Sequence, residues 1–77
     1  MADRERLAVL ALMTMTRQFL QRYPNEPVDS RAMSAGETAI LALAEYGLMT
    51  VERRGRIFGK WNVDAVQAFE RSDAKRE

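Results

Sequence analysis

The sequence predicts a mainly α-helical single domain with one small antiparallel β-hairpin, in the order helix, short turn, helix, hairpin, helix. Three observations lead there. Apolar residues recur at the helical period from Asp3 to Tyr23. A second run of that kind opens at Ser34, a residue suited to a helix cap, and stops at Gly47. Beyond it the pattern changes to alternation on both sides of Arg53-Arg54-Gly55.

In the first helix, Ala8, Val9, Leu12, Thr16, Phe19, Leu20 and Tyr23 form one stripe, with Met13 and Met15 at its edges. Arg17, Gln18, Gln21 and Arg22 fall opposite, as a solvated face. Asp3 and Glu5 in the first turn and Arg22 in the last suit the helix dipole. Leu7 and Leu10 lie away from the stripe. Either a second element covers them, such as the C-terminal helix, or they form a dimer seam or partner surface.

Pro24 biases Tyr23 out of the helical region and ends this helix, and Pro27 stiffens the connection. Val28 to Met33 is expected to form a single turn, capped by Asp29 or Ser30. Ser34 then begins the second helix with a capping box, its hydroxyl accepting from the Glu37 N–H and the Glu37 carboxylate reaching back. Ile40, Leu43 and Ala44 point inward, Gly36 permits a close approach, and Leu41 is marginal. Gly47 supplies the left-handed stop.

A three-residue loop, Arg53-Arg54-Gly55, sets Val51 opposite Ile57 and Glu52 opposite Arg56. Met49, Val51, Ile57 and Trp61 then share one face, and Thr50, Glu52, Arg56, Phe58 and Lys60 the other. Phe58 is conspicuous on that outer face. Gly59 either weakens the strand or lets a backbone come close. Asn62 caps a third helix from about Val63 to Asp73, with Val66 and Phe69 as its main apolar contacts and Val63 and Ala65 as lesser ones. A mixed-charge tail is expected to fray from about residue 72.

Composition removes most catalytic chemistry. The 77 residues include no Cys and no His, so there are no disulfides, thiol nucleophiles or imidazole bases, and nearly every zinc site is excluded. Asp29, Glu37, Glu45, Glu52 and Asp64 show no pairing suited to acid–base work, and no glycine-rich phosphate loop is present. The sequence therefore predicts a protein that is not an enzyme and uses no cofactor and no metal. The apolar run Leu7–Met15 is too short to span a bilayer and lacks the charge pattern and cleavage site of a signal peptide, which predicts a cytoplasmic protein with no membrane partner. Net charge is only +1, so any attraction to an anionic partner must come from local clustering.

The cluster is at the hairpin. Arg53, Arg54, Arg56 and Lys60 project from it, offset in part by Glu52. The run from Leu41 through Gly47-Leu48, Val51 and Arg53-Arg54-Gly55-Arg56 to Trp61 resembles the last helix and wing of winged-helix repressors of the arsenic-sensor and multidrug-regulator type. That resemblance covers about a third of the chain. It implies a helix in the major groove and a basic wing beside the phosphates, hence a DNA-binding transcriptional regulator. The helix that precedes the recognition helix in that family corresponds here only to Val28–Met33. The outward face of the second helix offers Ala35, Thr38, Ala42 and Glu45, flanked by Ala39 and Tyr46. Only Thr38 can touch a base or a thymine methyl, so contact is expected to be mostly non-specific and to the backbone. The alternative is a protein-interaction module, an adaptor or a small inhibitor of the kind mobile elements encode, docking through Leu7, Leu10, Phe58 and Ala42. In the first reading Leu7 and Leu10 pair two subunits as a homodimer.

Overall fold

The computed structural model describes residues 2–23 and 28–74 and orders them as α1 (Asp3–Arg22), α2 (Ser30–Glu45), β1 (Met49–Arg54), β2 (Arg56–Trp61) and α3 (Val63–Ala74). This is the expected class and order. The proline-stiffened connection lies outside the described residues, as do residues 75–77 of the tail. The described part of α3 continues to Ala74, beyond the expected onset of fraying.

Helix α1 ends where its sequence says it should. Tyr23 is extended at φ −92°, ψ 136°, as suits a residue before proline, while its N–H still reaches Phe19 O. The buried line is Val9, Met13 and Thr16, so Met13 is central rather than marginal, while Ala8 and Met15 are exposed. Leu10 is half-buried and packs against the core, which settles one of the two leucines. Two other side chains of this helix, Arg6 and Arg17, reach α3. The Arg6 guanidinium sits 5.4 Å from the Phe69 ring centroid, and Arg17 comes within 3.8 Å of the Glu70 carboxylate. Leu7 stays 66% exposed.

Helix α2 starts a turn earlier than the sequence pattern suggests, and the capping box does not form. Asp29 is the N-cap, accepting from Ala32 N at 2.8 Å, so Val28–Met33 is no separate turn. Both Asp29 and Ser34 are residues that cap helices. Burial decides between them, because starting at Ser30 places Met33 in the core at 6% exposure. Ser34 is left exposed on the second turn, and Glu37 is free to act elsewhere. Gly36 lies under Phe19, where an added Cβ would come within 2.6 Å of the ring. Ala39, expected on the outward flank, is instead buried with Ile40 and Leu43. The stop is as predicted. Gly47 has φ +76°, Leu48 N donates to Leu43 O and Gly47 N to Ala44 O, the two bonds of a Schellman ending.

The hairpin keeps its predicted faces but not its predicted register. Glu52 opposes Phe58 and Val51 opposes Gly59, while Arg54 pairs with Arg56 so that Gly55 alone, at φ +73°, turns the chain. The shift moves each partner by two residues. Alternation has a period of two, so the apolar pattern cannot distinguish the two registers. Contact with α2 can. Gly59 lies under Ile40, and a Cβ there would meet the Ile40 side chain at 2.7 Å, so what comes close is a side chain and not a backbone. Met49 and Leu48 join Val9, Met13, Ile40, Leu43 and Val66 in one core.

Asn62 holds the cap position of α3 through its carbonyl, which accepts from Val66 N at 2.9 Å. Its side chain turns the other way. Thr50 Oγ1 donates to Asn62 Oδ1 at 2.7 Å, and Asn62 Nδ2 donates to Gly47 O at 2.9 Å, tying the start of α3 to the end of α2 and to β1. Val66 is buried and Ala65 and Phe69 pack against the core, whereas Val63 is 61% exposed and contributes little.

Candidate nucleic-acid interface

A two-stranded ribbon needs support to hold charges in place, because an isolated hairpin is marginal in water. Two attachments supply it here. The first is the Gly59–Ile40 contact. The second is Glu37, whose Oε2 accepts from Ile57 N at 3.2 Å and lies 3.9 Å from Arg56 Nη1. The glutamate assigned by its spacing to a helix cap is therefore a staple between α2 and the ribbon.

All four expected cations are exposed, but they do not form one cluster. Alternation places Arg54, Arg56 and Lys60 on the outer face of the hairpin. Arg53 is on the other face, beside Leu41, Ala44, Glu45 and Val51. Arg53 has no ion pair among the described residues. Arg54 is engaged by Glu52, with Nε 3.0 Å from Oε2 and Nη2 in closer contact with the same oxygen. The expected Glu52–Arg56 pairing is replaced by this one, since the actual register sets Phe58 across from Glu52. The hydrogen bond and charge of Arg54, with the charge of Lys60 behind them, hold the Glu52 carboxyl below the usual glutamate range. Glu52 thus stays an anion in the middle of the outer face. Thr38 is exposed on α2, on a different element from the cations, and its hydroxyl makes no hydrogen bond among the described residues.

The residues assigned to a protein surface separate as well. Ala42 and Leu10 are half-buried, and Leu7 is bare. Phe58 is 37% exposed and does have an internal partner, which the sequence pattern concealed. Its ring is tilted at 33° to that of Tyr23 with centroids 6.5 Å apart, and Tyr23 stacks on Phe19 at 5.6 Å. The spacing of Phe19 and Tyr23, one helical turn apart, hinted at a ladder, but nothing local pointed to its third ring. Phe58, Gly59, Lys60, Arg54 and Glu52 line an open depression of about 500 Å³ on the outer face.

At the far end of α2, Tyr46 donates to Glu5 Oε2 at 3.0 Å, and this bond raises the phenol above its ordinary pKa. It joins α1 to α2 and is remote from the hairpin tip. Among the described residues no group of acidic side chains is arranged to hold a metal ion, and no helix is long and apolar enough to cross a membrane. No family model, curated protein or solved structure matches this chain.

Proposed function

We propose that this is a small nucleic-acid-binding protein, a regulator of transcription, that grips the phosphate backbone through its β1–β2 hairpin. The observation that carries the reading is the set of exposed cations Arg53, Arg54, Arg56 and Lys60 on a ribbon fixed to α2 at two points. The winged-helix resemblance supports the same partner. Affinity comes from displacing counterions and so depends on salt, while Arg31 in the first turn is the one side chain of α2 able to form a bidentate contact with a base edge. A gel-shift titration over several salt concentrations tests this. Changing Arg53, Arg54 and Arg56 together to Ala should flatten the plot of log affinity against log salt by roughly two to three units. No binding at low salt, or no loss in the triple variant, refutes the reading.

A second reading, docking to another protein, is favoured by one observation. Leu7 stands 66% exposed on α1, and Met15 on the same helix is 43% exposed. Leu7 is also where two copies would meet. Light scattering and partner capture with Leu7→Glu separate this reading from the first, because that change leaves the hairpin untouched.

A further inference from the structure

We propose that the outer face of the hairpin binds single-stranded nucleic acid by stacking an unpaired base on Phe58, with Arg56 and Lys60 taking the phosphates on either side. This rests on the nucleic-acid reading above and names its substrate class. On that face β2 presents Arg56, Phe58 and Lys60 in succession, a cation, an aromatic ring and a cation. Alternate side chains of a strand stand about 7 Å apart. That spacing brings both cations within reach of the backbone flanking one stacked base.

The ring is suited to the task because it is open on one side and supported on another. It is 37% exposed, it borders the open depression, and Tyr23 and Phe19 buttress it through the ring ladder from α1. A supported ring loses little freedom when a base lands on it, so more of the stacking energy appears as affinity. The two cations are available. Arg56 has only a loose contact at 3.9 Å with Glu37, and Lys60 has no ion pair among the described residues. Arg54 is committed to Glu52 and neutralises the one anion on the platform. A duplex cannot use this surface in the same way, since its bases are already stacked on one another and the ring has no open face to meet.

The experiment compares a short single-stranded oligonucleotide with a duplex of the same length by fluorescence anisotropy, using the intact chain and Phe58→Leu and Phe58→Tyr variants. Leucine keeps an apolar contact to Tyr23 but has no ring. Tighter binding of the single strand is expected, with a loss of roughly 5- to 100-fold in Phe58→Leu, retention in Phe58→Tyr and little change for duplex. Photo-crosslinking of the unaltered protein to an oligonucleotide carrying a halogenated pyrimidine is expected to label Phe58, and needs no variant. Duplex preference, unchanged single-strand affinity in a folded Phe58→Leu, or crosslinks elsewhere overturns the stacking site while leaving backbone binding intact. Failure of every oligonucleotide to bind at low salt overturns the backbone reading itself.

Discussion

At the residue scale, the core contains a group among the described residues that the fold does not satisfy. Thr16 is fully buried, and its hydroxyl has no hydrogen-bond partner. A buried hydroxyl left unpaired costs about 1–3 kcal/mol, and valine has nearly the same shape without that cost. Thr16→Val should therefore stabilise the domain by about 1 kcal/mol, equivalent to a rise of roughly 4–8 °C in Tm for a domain of this size. Thermal and urea unfolding check it, and a lower midpoint would mean that the hydroxyl is paired in solution. The sequence shows that Thr16 lies on the buried stripe, because position on a helix wheel follows from period alone. It does not show the missing partner, which depends on what packs opposite. The same divide explains Phe58. Its place on the outer face follows from alternation, whereas its contact with Tyr23 joins two elements that only the fold brings together.

At the element scale, one of the attachments of the hairpin to α2 is a close approach. A Cβ on Gly59 would meet Ile40 Cγ2 at 2.7 Å and the flexible end of Met49 at 2.8 Å. The methionine can move aside, but Ile40 is fully buried and cannot. Gly59→Ala should destabilise by about 1–3 kcal/mol through overpacking, and Ile40→Ala by about 2–5 kcal/mol through the cavity it leaves. Together they should cost less than the sum, because the new methyl occupies part of the space that Ile40 gives up. Strict additivity in a double-mutant cycle would show that the ribbon is not seated on Ile40. This contact also marks the limit of sequence reasoning about the hairpin. The faces were legible, since polar and apolar residues alternate, but a shift of two residues preserves every face, and only the glycine under Ile40 distinguishes the true register. The start of α2 was obscured in a similar way, with two good caps a turn apart and the choice made by burial of Met33. The hairpin cations needed no such information, because charge is written locally; their division between two faces was the part that required the ribbon.

At the scale of the whole molecule, the same cations link binding to stability. A chain of this length buries little core and has only a few kcal/mol of stability to spare, so a ligand that prefers the folded state should raise its melting temperature visibly. That preference has a physical source. Net charge is +1 whether the chain is folded or not, so an unfolded chain offers a polyanion a dispersed mixture of charges. Folding holds Arg54, Arg56 and Lys60 on one surface of the ribbon and Arg53 on the other, and ties Glu52 to Arg54. A ligand at 100 times its Kd adds about 2.7 kcal/mol to the folded state, which corresponds to a rise in Tm of roughly 10–20 °C for a domain this small. Thermal melts of the unaltered chain with a saturating oligonucleotide at low salt should show that shift. It should shrink as salt is added, since counterion release drives the binding. The expected order is single strand above duplex, because only the single strand can add stacking on Phe58 to the backbone contacts. A melting temperature that no oligonucleotide moves at low salt would mean that the folded ribbon gives nucleic acid nothing the unfolded chain lacks, and the function would have to be sought on the Leu7 side of α1.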